Sequence, residues 1–249
     1  MGGCFDLFRA KVEEDPEKRP EKAVAAEAGL ALDRYFNYRS LKAHEKEGVD
    51  YAVSFRRRAS AVAVMAPHGG GIEPGTCTLA RMVAGADHTF YAFRGLKPRG
   101  NRRLHLESAR FDEPVALQLA GESSKVVTVH GCADTGEVVY VGGLDEELKE
   151  KVFRALEKAG FRVREHEHFR GRNPVNLCNR GRCGRGVQLE LGAGLRRVLF
   201  HGPLRRDELS PLGRDFVAAV RSALAGESDA EPCSEISSAK GVSRRRARE

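Results

Sequence analysis

Two histidines, each delivered by an apolar run and each followed by glycine, are the residues of this chain best placed to do chemistry. The first is His68 in the stretch PHGGGIEPGT at 67–76, directly after the apolar residues 61–66. The second is His130, which ends the run Val126-Val127-Thr128-Val129 and precedes Gly131. A His at the end of a buried strand is presented at a sheet edge, and three successive glycines let the backbone fold back tightly. Across that loop the carboxylate of Glu73 can return towards the His68 imidazole. A His/His/Glu set is the ligand type of catalytic zinc sites, which keep a fourth position open for water and lower that water's pKa to about 7.

Competing readings narrow quickly. A lone strand-end histidine is usually structural, and a Gly-Gly-Gly run is usually a loop; the coincidence of two such histidines with Glu73 brings the site reading level with the structural one. His-Gly-Gly-Gly also resembles the oxyanion loop of lipase-type hydrolases, but that chemistry needs a Gly-x-Ser-x-Gly elbow, which this sequence lacks. Cys178 and Cys183 are the closest cysteine pair, loosely spaced for a zinc knuckle and without a second pair to complete it.

A second polar group lies in Val187-Gln188-Leu189-Glu190-Leu191. Alternation puts Gln188 and Glu190 on one face and the apolar residues on the other. A carboxylate on so apolar a strand needs a partner, either a metal-activated water or one of the neighbouring arginines.

The elements that must position these residues read as an alternation. Strands are predicted at 61–66, 88–93, 125–130, 137–141, 161–164 and 187–191, and helices at 74–84, 145–159 and 211–225. Asp145 is a plausible N-cap for the second helix, with Leu148, Val152 and Leu156 along one face; Ser210-Pro211 opens the third. Strands alternating with helices predict an α/β single domain, a mixed central sheet flanked by helices. Residues 1–36, including an alanine-rich helical stretch at 23–35, are expected to be an extension outside the core. The domain is expected at 37–226, and 227–249 as a disordered basic tail.

Composition sets outer bounds. The 249 residues are 41% hydrophobic and 31% charged, suited to one sizeable core. Net charge is +7, from 42 basic against 35 acidic residues, which favours anionic partners without choosing among them. No apolar segment of about 20 residues predicts a membrane span. The start carries no apolar signal-peptide core, and Asp6 stands where a myristoylation signal wants Ser or Thr. A cytoplasmic protein with reduced cysteines is expected, one that lysis could release.

Beyond these readings, the sequence resembles the phage-type poly-γ-glutamate hydrolases, a zinc-dependent group related in fold to metallocarboxypeptidases. The likeness spans about residues 48–200 and rests on PHGGGIEPGT at 67–76, FRGLKPRGNRRLHLES at 93–108, VHG at 129–131, VGGLD at 141–145, NPVNLCNRG at 173–181 and GVQLEL at 186–191. It implies Zn2+ held by His68, Glu73 and His130, Glu190 as general base, and cleavage of γ-linked glutamate amides. Departures are the extra N-terminal residues, the basic tail, and LGAGLRR after Glu190 where the family would carry a serine-arginine pair.

On that reading Arg180, Arg182 and Arg185, with Arg94, Asn176 and His105, are the expected substrate-binding residues, since the guanidinium fork binds a carboxylate with two hydrogen bonds. His105 is alternatively a neighbour of the ligands or a packed histidine. The expected partner is an acidic polymer or peptide substrate, with no membrane, no nucleic acid and a monomeric chain. Two further functions remain open from sequence. One is a zinc amidohydrolase acting on small N-acyl acidic amino acids or cell-wall γ-glutamyl peptides, separable by comparing polymer with dipeptide turnover. The other is a non-catalytic polyanion-binding module, which has no need of stoichiometric zinc.

Overall fold

The chain alternates between the two faces of a central sheet, and the strand register decides which residues reach the sheet's carboxyl edge. The computed structural model describes residues 33–202 and 208–227. Its strands are β1 Tyr51–Arg56, β2 Val62–Gly70, β3 Thr89–Gly95, β4 Lys125–Gly131, β5 Val138–Gly143, β6 Arg162–Arg164 and β7 Val187–Leu191. They form one sheet in the order β1-β3-β2-β4-β7-β5-β6. The four central strands β3, β2, β4 and β7 run parallel; β1 joins β3 antiparallel, and β5, with β6 parallel to it, joins β7 antiparallel. The expected mixed α/β sheet is therefore present, including all six strands read from the sequence. β1 was not among the strands read.

Among the described residues the helices are α1 Tyr38–Lys42, α2 Thr76–Ala84, α3 Pro114–Glu122, α4 Glu146–Lys158, α5 Ala193–Val198 and α6 Pro211–Leu224. α2, α4 and α6 match the expected helices. α4 starts where the Asp145 side chain accepts the N–H of Leu148, with Glu146 and Glu147 favouring the positive end of the helix. α6 starts with Ser210 capping Gly213 and Pro211 in its first turn. α3 was missed although it carries a similar signal: Pro114 opens it and the Glu113 carboxylate accepts from Val115 and Ala116.

Both sheet faces are covered. Val62, Val64 and Ala66 of β2 pack with Leu79, Val83, Leu148, Val152, Phe216 and Val220 from α2, α4 and α6. Ala63 and Met65 pack on the opposite face with Tyr91, Phe93, Leu104, Leu106, Phe111 and Leu119. Burying such side chains contributes roughly 1.5–3 kcal/mol each, and truncating Leu148 to Ala would cost about 2–5 kcal/mol.

Two features of the topology place the functional edge. From β2 the chain passes to β3 on one side and then to β4 on the other, which opens a crevice at the carboxyl ends of these parallel strands. Then β2 gains a residue: Ala66 faces Ala92 and Gly69 faces Arg94, three steps against two. This bulge reverses the alternation, so His68 emerges on the same face as the even-numbered residues of β4 and β7. His68 consequently lies inside β2, not at its end, because Gly69 and Gly70 continue the pairing with β3.

The helix expected at 23–35 lies outside the described residues except for 33–35, which are not helical. Tyr35 is buried in the second core cluster and its hydroxyl donates to Glu45 Oε1 at 2.7 Å. The expected tail lies outside the described residues from 228 onwards; Glu227 pairs with Lys125 and Lys151. Among the described residues no helix is long and apolar enough to cross a membrane.

Candidate metal centre

His68, Glu73 and His130 converge as a buried group whose ligand atoms all lie within 4.8 Å of one another. The bulged end of β2 supplies His68, and the following loop returns Glu73. Its turn requires glycine: Gly70 has φ +64°, and a Cβ there would run into the Gly95 carbonyl oxygen. β4 supplies His130. Gly131 after it is needed for space, since a Cβ would meet Arg196 Nε at 2.6 Å.

Each side chain is oriented by a specific bond. His68 Nε2 donates to the Leu106 carbonyl at 2.7 Å, which leaves Nδ1 facing His130 Nδ1 at 3.1 Å and Glu73 Oε1 at 3.1 Å. Glu73 Oε2 accepts the Gly131 N–H at 2.8 Å, tying the two ligand loops together. His130 Nε2 is 3.5 Å from Ser108 Oγ.

Electrostatics supports a cation here. Burial would raise the Glu73 pKa, but the charge and hydrogen bond of His68 outweigh it and lower the value to about 2. Burial, joined by the charge of His68, lowers His130 to about 3 and keeps its ring neutral. Burial alone would also lower His68, but the Glu73 carboxylate beside it prevails and raises it. Two imidazole Nδ1 lone pairs that face each other at 3.1 Å require a proton or a metal ion between them. The donor set of two imidazoles and one carboxylate suits a divalent metal with an open position.

Glu190 stands beside this centre. It is the register partner of His130 on the adjacent strand β7. Gln188 Nε2 donates to Glu190 Oε1 at 3.2 Å, and Asn176 Nδ2 donates to Gln188 Oε1 at 3.0 Å, a relay that orients the carboxylate. Burial, reinforced by the negative charge of Glu73, pushes the Glu190 pKa well above the usual carboxylate range. A divalent cation beside it would oppose that rise.

The other residues expected at the site separate. Asn176 is buried and its amide is engaged with Gln188, so its place here is behind the acid. The His105 ring packs against that of His68, tilted by 31° with ring centres 4.0 Å apart, and its Nε2 is 3.7 Å from Glu73 Oε1. Arg94 sits at the same sheet edge, paired in register with Gly69. Arg180 helps line a cavity of about 220 Å³ with Arg110, Phe36 and Phe111, and Phe111 in turn meets the His68 ring. Arg182 and Arg185 lie elsewhere. Arg182 Nη2 donates to Ser124 Oγ at 2.7 Å, and Arg185 Nε is 3.8 Å from Asp145 Oδ2. Ser124 immediately precedes β4, and Asp145 lies 3.6 Å from Nζ of Lys125, its first residue, so both arginines contact the strand's amino end, about 16 Å of strand rise before His130. Among the described residues, the Cys178/Cys183 pair belongs to no three-residue metal-binding group.

Sequence reasoning missed several contributors. Arg196 of α5 is buried and donates to the carbonyls of Leu191, Pro74 and Cys132, clamping the loops that follow β2 and β4 to the end of β7. Arg102 is close enough for its charge to oppose the rise at Glu190. Asp33 accepts from His105 Nδ1 at 2.6 Å. Capping pairs such as Glu113-Pro114 mark helix starts locally, but a carboxylate approaching from 72 residues away has no local signal.

Comparison with known proteins bears on the whole arrangement. The profile of the family described as poly-gamma-glutamate hydrolase matches residues 35–210. UPF0714 protein YndL of Bacillus subtilis (strain 168) is 38% identical over 174 residues, covering 68% of this chain and 68% of that protein. A solved bacteriophage poly-gamma-glutamate hydrolase superposes with TM-score 0.75 at 32% identity, covering 77% of this chain and 96% of the phage protein. The zinc-free form of YndL superposes with TM-score 0.74 at 34% identity, over 78% and 98% of the two chains. The chain belongs to the poly-gamma-glutamate hydrolase family.

Proposed function

We propose that this protein is a zinc-dependent hydrolase that cleaves γ-glutamyl amide bonds in poly-γ-glutamate or related acidic peptides. The observation that carries the reading is the convergence of His68, Glu73 and His130 within 4.8 Å, with Glu190 in register beside His130. The zinc-free form of the related YndL supports the choice of metal.

His68 and His130, through Nδ1, and Glu73, through its carboxylate, would hold the ion. Zinc supplies Lewis acidity there, polarising the scissile carbonyl and making water easier to deprotonate. Glu190 takes a proton from the attacking water and returns it to the leaving amine as the C–N bond breaks, yielding one carboxylic acid and one amine. Gln188, held by Asn176, aims Glu190 for that transfer. Arg180, Arg110 and Arg102 provide positive charge for the free carboxylates of a γ-linked chain, because a guanidinium stays charged and can bind a carboxylate with two bonds.

The test is release of short oligomers from poly-γ-glutamate by the purified protein, with zinc content measured on the same sample. Activity that disappears with a chelator and returns with zinc supports the reading. A zinc-free protein with full, chelator-resistant activity would overturn it.

A further inference from the structure

We propose that Asp33 is a positioning residue for the metal centre, holding His105 and the backbone at Glu107 and, through them, the orientation of His68 and His130. The inference rests on the metal-site reading above and extends it to a residue that precedes the family-matched span of 35–210. The Asp33 side chain is only 8% exposed, and its two oxygens engage different partners. Oδ1 accepts from His105 Nδ1 at 2.6 Å. Oδ2 accepts the Glu107 N–H, with Arg110 Nη2 3.7 Å away.

These contacts bracket the stretch of chain that faces the ligands. Leu106, between the two anchored residues, accepts from His68 Nε2 at 2.7 Å and so dictates which nitrogen of that ring is left for a metal. Ser108, directly after Glu107, has Oγ 3.5 Å from His130 Nε2. The His105 ring lies 4.0 Å from that of His68, centre to centre. The stretch itself joins two short 3₁₀ turns, Asn101–Leu104 and Ser108–Arg110, and belongs to no strand of the sheet. Side chains must therefore fix what strand pairing does not, and charge-assisted bonds to a buried carboxylate are strong enough to do so. Partners that orient metal ligands typically cost 10–100-fold in metal affinity or activity when removed.

The experiment compares full-length wild type with Asp33→Ala and Asp33→Glu by three measurements. Zinc affinity is read by chelator competition. Melting temperature is read on the metal-free protein. The His68 ring tautomer is read by ¹⁵N–¹H correlation of metal-free protein at alkaline pH, where the ring is neutral. Asp33→Ala should weaken zinc binding roughly 10–100-fold, lower the melting temperature of the still cooperatively folded protein by several degrees, roughly 3–8 °C, and lose the single Nε2–H form of His68. Asp33→Glu, which keeps both acceptor oxygens, should recover most of the affinity. Wild-type zinc affinity and an unchanged His68 signal in Asp33→Ala would overturn the proposal. So would an equal, large drop in melting temperature for both variants without rescue, because Asp33 would then be a general stabiliser. If the wild type binds no zinc, the metal-site reading fails and the His68 signal alone decides the role of Asp33.

Discussion

His130 and Glu190 are register partners on the parallel strands β4 and β7. Their side chains leave the same face of the sheet one strand spacing apart, about 4.8 Å at the backbone. This places the candidate base beside a candidate ligand without any loop intervening, and the relay from Asn176 through Gln188 stiffens it further.

Glu190→Gln keeps the shape of the side chain and removes its ability to accept a proton. Zinc should remain bound and KM should change little, while kcat falls by roughly 10²- to 10⁴-fold, or about 3–5 kcal/mol in the barrier. Measuring zinc content and kcat on one preparation checks this; a zinc-loaded, fully active variant would show that the base is another residue.

His68→Ala or His130→Ala should each remove most of the zinc, since two remaining protein ligands compete poorly with water. Metal analysis after dialysis against a weak chelator is the readout. Stoichiometric zinc in both variants would place the site elsewhere.

The arginines expected to act together should behave differently. Arg180→Gln should raise KM for an acidic substrate about 10-fold or more, and far less for a neutralised analogue, as befits loss of a charge-assisted bond of about 1.5–3 kcal/mol. Arg185→Gln should leave KM unchanged and alter stability by no more than about 1 kcal/mol, because its contact with Asp145 is partly solvated. Parallel KM effects in the two variants would contradict their different surroundings, Arg180 at the cavity beside Phe111 and Arg185 against Asp145.

Glu190 also predicts a pH dependence for the metal-free protein. Burial and the Glu73 charge raise its folded-state pKa above the unfolded value, which is about 4.3. The folded state thus binds this proton more tightly, a contribution fully present below the unfolded pKa and lost as pH rises through the folded one. Metal-free wild type should therefore lose stability relative to Glu190→Gln as pH climbs above the carboxylate range, and zinc should narrow the gap. Denaturant midpoints at several pH values test it; a gap that stays constant would mean that Glu190 titrates normally.

Much of the site was legible along the chain because its signals are local. Apolar runs ending near His68 and His130, the glycines that follow them, and the alternation at Gln188 and Glu190 each report the conformation of a few adjacent residues, so the strands and the candidate ligands could be picked out directly. Alternation also correctly put Val187, Leu189 and Leu191 in the core. What the tertiary structure alone decided is which of these residues meet. The bulge between Ala66 and Gly69 turns His68 to the face of His130 and Glu190, and one fewer residue would turn it away. Arg180, Arg182 and Arg185 are neighbours in sequence, yet Arg180 lines the cavity near His68 while the other two lie by the amino end of β4. Asp33 and Arg196 reach the centre from outside its motifs altogether. The physical reason is common to all three: propensity and alternation act over a few residues, whereas strand register and the covering of both sheet faces are set by contacts between segments far apart in the chain.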